Sequence, residues 1–184
     1  VKSGQTILFH AAAGGVGQIF CQWAKSLGCS VIGTVGSDEK IDIAKKFGCD
    51  HVINYSKDDF QKKVMEITNE EGLPVVYDGV GKVTMEKSLG CLKMRGTFVS
   101  FGNASGKLDP LDVGKLIAPK GLFLTRPSIA HYTATRKELD EAANKLFEMV
   151  KLNKVKIDIF KKYSLNDVIN AHRDLEGRKI IGPA

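Results

Sequence analysis

Small residues crowd into one place near the start of the chain. The apolar run Ile7-Leu8-Phe9 passes through His10 into Ala11-Ala12-Ala13-Gly14-Gly15-Val16-Gly17. A strand that turns into a helix through such residues lets a phosphate reach the backbone, and the unpaired amides of the first helical turn favour an anion. A dinucleotide fingerprint needs a tight turn, a position without a side chain for the pyrophosphate, and a small residue where helix meets strand. Set against G-x-G-x-x-G, Gly14 and Gly17 take the last two places and Ala12 the first. Ala12 is admissible if its φ stays negative, because a methyl group clashes only in the left-handed region. The spacing predicts dinucleotide binding at Gly14, with the amides from Gly15 to Gly17 aimed at the phosphates.

Two competing chemistries fail on spacing. A triphosphate loop needs G-x-x-x-x-G-K-[ST], but Gly81-Lys82 is followed by Val83 and lacks the upstream glycine. A short-chain dehydrogenase wants tyrosine and lysine four apart, and Tyr132 meets Arg136 at that distance.

The second strand exit bears on which nicotinamide cofactor is bound. An NAD site usually presents a carboxylate about twenty residues after the phosphate loop. Here Gly36 and Ser37 occupy that exit and Lys40 lies just inside the next helix. Glycine leaves room for a 2′-phosphate, Ser37 can donate to it and Lys40 brings charge, so NADPH is expected over NADH. Asp38 and Glu39 are expected to decorate the helix start with their side chains in water. Tyr55 ends the next strand, where it could stack on adenine or simply sit in the rim.

These positions require a frame of strands and helices. Runs at "QTILFH", "SVIGTV", "HVINY", "PVVYDGV" and "GTFVSFG" alternate with helical periods. Continuous apolar strands separated by helices predict an α/β fold with a doubly wound, Rossmann-type parallel sheet covered on both faces. The first helix is expected to bury Val16, Ile19, Phe20, Trp23 and Leu27. "LFLTRP" predicts one more strand, after a long loop with a helical piece near 113–117. Thr135 and Glu138 form a capping box for a helix expected to turn Leu139, Ala143, Leu146 and Val150 inward. Ser164 is expected to cap the last helix.

Composition narrows the class. The 184 residues carry a formal charge of +6, spread in pairs such as Lys45-Lys46 and Lys62-Lys63, which suits solvated faces better than a nucleic-acid groove. No apolar run is long enough for a membrane-spanning helix. Cys21, Cys29, Cys49 and Cys91 stand apart without ligand spacing, so buried thiols in a reducing, cytoplasmic setting are expected, with no metal.

Taken in order, "LFHAAAGGVGQIFCQWAKSLG", "VIGTVGS" with Lys40, "HVINY", "VVYDGVG", "VSFGNASG", "LFLTRPS" and "AHRDLEGR" resemble the zeta-crystallin-like NADPH:quinone oxidoreductases of the medium-chain dehydrogenase/reductase superfamily. The resemblance covers essentially the whole chain, and AAGGVG is that family's own loop. It implies NADPH as cofactor and a quinone or related electron acceptor as substrate. Ala13, Gly15 and Val16 match the pyrophosphate loop, and Gly36, Ser37, Lys40 and Arg178 match the 2′-phosphate contacts. Tyr55 matches the adenosine end, while Phe101 and Asn103 match the strand end beside the nicotinamide. Gly79 stands where relatives often carry serine, so one hydroxyl contact is absent.

The resemblance also implies a division into a nucleotide-binding domain over 1–156 and a segment over 157–184 that returns toward a substrate domain not contained in this chain. The chain alone is therefore expected to turn over little or no quinone. An enoyl or alkenal reductase, or a protein that binds NADPH without turnover, shares the same nucleotide half. Quinones accept hydride readily, so no acid or base is assigned. His10 is expected to be a satisfied rim or core residue, and His172 and Arg173 to pair with Asp174 or Glu176. Arg126 is a candidate for holding structure or substrate near the cleft. If "LFLTRP" lies at the sheet edge, pairing across a two-fold axis would protect it and give a homodimer through 122–127.

Overall fold

The computed structural model describes residues 1–177 and 179–183. Six strands form one sheet in the order β3-β2-β1-β4-β5-β6. They are β1 (Thr6–Phe9), β2 (Ser30–Val35), β3 (His51–Asn54), β4 (Leu73–Asp78), β5 (Leu92–Ser100) and β6 (Phe123–Thr125). Every pairing is parallel, so all six carboxyl ends open on one side. The order reverses between β1 and β4, which is where such sheets receive ligands. The expected doubly wound fold is present.

The helices are α1 (Gly15–Ser26), α2 (Ile41–Lys46), α3 (Phe60–Ile67), α4 (Met85–Gly90), α5 (Val113–Leu116), α6 (Ile129–Tyr132), α7 (Arg136–Lys151) and α8 (Val168–Glu176). Among the described residues none is long and apolar enough to cross a membrane. One core lies against α3 and α4 and joins Leu8, Ile32, Val64, Leu73, Val76 and Phe98. A second lies against α1 and α2 and joins Ile7, Phe9, Cys21, Val31, Ala44 and Cys49. A fully buried side chain such as Phe98 contributes ~1.5–3 kcal/mol, so these two layers hold the sheet.

Helix α1 corrects the sequence reading. Its buried residues are Gly17, Gln18, Cys21 and Ala24. Val16 is 65% exposed and Leu27 49%, Ile19 and Trp23 are half-buried, and Phe20 packs on the core against Phe9 with centroids 4.3 Å apart. The reason is distance: a Cβ on Gly17 would sit 2.5 Å from the Ala11 carbonyl oxygen and 2.6 Å from that of Ala12. Only small residues let the helix approach the turn so closely.

Helix α7 starts with the expected capping box, Thr135 Oγ1 accepting from the Glu138 amide and the Glu138 carboxylate accepting from the Thr135 amide. It buries no residue fully; Ala143 and Leu146 are half-buried, and Leu139 and Val150 are exposed. The segment that follows it is tied to α1 by Gln22, whose side-chain amide donates to the Lys156 carbonyl and accepts from the Lys156 amide, both at 2.9 Å.

The last segment differs in its pairing. Asp174 accepts from Tyr163 Oη at 2.8 Å, from Lys161 at 3.2 Å and from Lys179 at 3.3 Å. These partners, and not His172 or Arg173, take its charge. Ser164 precedes the last helical segment without a side-chain capping bond.

Candidate functional site

The turn between β1 and α1 begins with a left-handed residue, and it is Ala11, at φ 57°. Such a conformation costs an alanine ~1–2 kcal/mol. Ala12 follows, fully buried, with its amide donating to the Thr34 carbonyl at 3.0 Å. Gly14 caps the helix in extended conformation, and its amide donates to the Ala11 carbonyl at 2.9 Å. The first intrahelical donor is the Gln18 amide, which bonds the Gly14 carbonyl at 2.9 Å, so the amides of Gly15, Val16 and Gly17 before it present donors and the positive end of the helix dipole.

Beside this turn opens a cleft of about 440 Å³, lined by Ala11, Ala13, Gly14, Val35, Gly36, Ser37, Glu39, Lys40, Tyr55, Val80, Ala104, Leu175, Ile180 and Ile181. Gly36 keeps it open, since a Cβ there would sit 3.1 Å from Tyr55 Oη. The floor is thus backbone and aliphatic, one lip carries a lysine, and one wall carries a phenol ring. That suits an elongated anion with an aromatic end.

The acidic pair on the lip is exposed, as expected, and each carboxylate also has a fixed partner. Asp38 is held by Asn54 and Lys57, whose bonds keep its carboxyl below the usual carboxylate range. Glu39 lines the cleft and accepts from Ser37 Oγ at 3.1 Å, so Ser37 must exchange that acceptor before donating to a ligand.

Of the expected binding residues, Ala13, Gly14, Gly36, Ser37, Lys40 and Tyr55 meet in this cleft. Gly15 faces the tail, its Cβ position 3.5 Å from the Pro183 nitrogen; Val16 is exposed, and Gly17 is a packing residue. Gly79, Phe101 and Asn103 form a second group at the ends of β4 and β5. A Cβ on Gly79 would meet the Phe101 ring at 2.8 Å, so a serine there would require the ring to move. Phe101 packs on Phe9 with centroids 5.4 Å apart, and the exposed Asn103 accepts from the Gly106 amide. Arg178 lies outside the described residues.

Arg126 takes the structural one of its two roles. Its Nη1 lies 3.2 Å from the Ser100 carbonyl, 3.1 Å from Ser100 Oγ and 3.2 Å from the Gly102 carbonyl, and so clamps the exit of β5.

His10 is fully buried, and its network sets its tautomer. Ser88 Oγ donates to Asp78 Oδ2 at 2.9 Å, so it accepts from His10 Nε2 at 2.9 Å, leaving Nδ1 to accept from Thr34 Oγ1 at 2.8 Å. Asp78 Oδ1 takes the amides of Val80 and Gly81. Burial pushes the imidazole pKa down, against a smaller pull upward from Asp78. His10 therefore joins the turn between β1 and α1, the second strand exit and the Gly79–Gly81 loop without lining the cleft.

Val35, Val80 and Ala104, with Leu175, Ile180 and Ile181 of the tail, are lining residues that sequence reasoning missed. Val35 and Val80 neighbour the flagged glycines 36 and 79, which was a usable signal. The tail residues had none beyond their nearness to Arg178.

Comparison with known proteins adds an independent line. The family model described as "Zinc-binding dehydrogenase" matches residues 15–149. The chain is 47% identical over 184 residues to quinone oxidoreductase 1 of Escherichia coli K12, covering 99% of this chain and 56% of that protein. It is 46% identical over 183 residues to a 2-haloacrylate reductase from Burkholderia sp., covering 99% and 55%. A crystal structure of Escherichia coli quinone oxidoreductase complexed with NADPH superposes with a TM-score of 0.95 at 47% identity, over 99% of this chain and 56% of that one. The chain thus spans a little over half the length of these relatives.

Proposed function

This chain belongs to the zinc-binding dehydrogenase family of the medium-chain dehydrogenase/reductase superfamily, and from that premise we propose that it is the nucleotide-binding part of an NADPH-dependent quinone reductase. The observation that carries the reading is the meeting of Gly36, Ser37, Lys40 and Tyr55 around the same cleft as Gly14. The cradle fits a dinucleotide, because the positions nearest the proposed phosphates lack the side chains that would fill it.

NADPH, when bound, supplies the hydride, and the chain supplies binding and orientation. Gly14 and the first amides of α1 hold the pyrophosphate; Lys40, Ser37 and Arg178 take the 2′-phosphate; Tyr55 lies against the adenosine. Phe101 and Asn103 border the nicotinamide, with Gly79 giving room to the Phe101 ring. Residues 1–156 form the nucleotide-binding domain and 157–184 the segment that returns toward a substrate domain.

The family's name includes zinc. Among the described residues no group of three or more His, Cys, Asp or Glu is arranged to hold a metal ion, and all four cysteines are buried.

The four free thiols suit a reducing, cytoplasmic setting. Strand β6 lies at the sheet edge with Phe123 and Leu124 exposed, which supports a homodimer through 122–127. A second reading, an enoyl-type reductase, is favoured by the near-equal identity to the 2-haloacrylate reductase.

Calorimetric titration with NADPH and NADH tests the reading. Tighter binding of NADPH is expected, and equal affinity for the two would overturn it.

A further inference from the structure

Asp38 stands on the lip of the cleft, between Ser37 and Glu39, which line it. An unrestrained carboxylate at a second strand exit accepts ribose hydroxyls and repels a 2′-phosphate. Asp38 is not unrestrained. Its Oδ1 accepts from Asn54 Nδ2 at 2.6 Å, and its Oδ2 accepts from Lys57 Nζ in an ion pair. It is absent from the cleft lining, unlike its neighbours on both sides.

The partner that aims it is itself fixed. Asn54 is 4% exposed, and its Oδ1 accepts from the Ser56 amide at 3.0 Å, so its amide nitrogen must face Asp38. Ser56 Oγ donates to the Gly36 carbonyl at 2.9 Å and ties this loop to the glycine that holds the cleft open. The carboxyl of Asp38 stays charged at neutral pH, because Lys57 and Asn54 hold its pKa down. Its charge is therefore cancelled by a partner and not by a proton.

We propose that Asn54 and Lys57 are specificity-determining residues: they turn Asp38 away from the cleft and neutralise it, so that a lip carrying an acidic residue still admits a 2′-phosphate. This rests on the NADPH reading above. The three residues form a device separate from Gly36, Ser37 and Lys40, which touch the ligand in that reading. Releasing Asp38 raises affinity for a ribose with two hydroxyls and lowers it for the phosphorylated one.

The test compares the NADPH-to-NADH affinity ratio, by titration of the whole chain, in the wild type, Lys57→Met, and Lys57→Met combined with Asp38→Asn. Lys57→Met should lower the ratio by about fivefold to tenfold, the scale of one partly solvated charge near a phosphate. Adding Asp38→Asn should restore it to within about twofold, since the released charge is then gone. A ratio unchanged by Lys57→Met overturns the proposal. So does a ratio that stays low in the double variant, which would mean that Lys57 acts on the phosphate directly. Equal affinities in the wild type would instead overturn the NADPH reading itself.

Discussion

His10 Nε2 lies 2.9 Å from Ser88 Oγ across 78 residues of sequence, and through that bond the first strand grips the fourth helix and the Asp78 loop. Replacing His10 with Phe leaves the buried Thr34 and Ser88 hydroxyls each without a partner. The loss should be ~2–4 kcal/mol by urea unfolding, with His10→Gln retaining more because an amide can both donate and accept. A loss below ~0.5 kcal/mol would show that the network contributes nothing.

The same histidine gives a pH dependence. Its folded pKa lies below the ordinary value of 6.5, so under acid conditions the unfolded chain binds a proton that the folded chain refuses. The contribution of neutral His10 is present above about 6.5 and is lost as pH falls below it. Melting temperatures from pH 8 to 5 should fall more steeply for the wild type than for His10→Gln; parallel curves would refute the assignment.

Gly17→Ala should destabilise the fold by ~1–3 kcal/mol, because its Cβ meets backbone oxygen atoms at 2.5 and 2.6 Å that cannot swing aside. Gly15→Ala, whose nearest neighbour would be 3.5 Å away, should leave stability within ~0.5 kcal/mol. Thermal unfolding of the two variants side by side makes the comparison.

Lys40→Ala should narrow the gap between NADPH and NADH by ~1 kcal/mol or more, the scale of a charge-assisted contact at a partly exposed lip. Titration of the variant with both nucleotides reads this directly. An unchanged gap would remove Lys40 from the 2′-phosphate site.

Phe123→Glu places a charge on an edge strand whose side chain is 61% exposed. If β6 pairs with its symmetry mate, light scattering should show a dimer for the wild type and a monomer for the variant. A wild-type monomer at micromolar concentration would dismiss the proposed interface.

The parts of this molecule that were legible in the sequence are those where local pattern and tertiary demand coincide. The strand–turn–helix at Ile7–Gly17 reads correctly because backbone approach to a ligand and helix–strand packing both call for glycine. The face of α1 misled for a tertiary reason: Gly17, Cys21 and Ala24 are buried by closeness to the turn, while the bulkier Val16 and Leu27 gain nothing there. Periodicity marks an apolar stripe without saying which edge of it the sheet can reach. Ala12 meets the condition of a negative φ, while the left-handed position falls on the preceding Ala11, which small identical side chains do not signal. Asp38 and Glu39 were adjacent and acidic, yet their partners, Asn54 with Lys57 and Ser37, separate their fates. Such partners come from a neighbouring strand or from rotamer choice, neither of which a local window contains.

Strand β1 has only four residues, yet it is bonded to β2 on one side and β4 on the other. Its partner Val76 lies far along the chain from Leu8, so the sheet cannot close until a long loop has been drawn in. Parallel pairings of this kind fold slowly, and until β1 is docked each half of the sheet offers a bare apolar edge to other chains. The docking of these four residues is thus the step at which refolding competes with aggregation, and low protein concentration should raise the recovered yield.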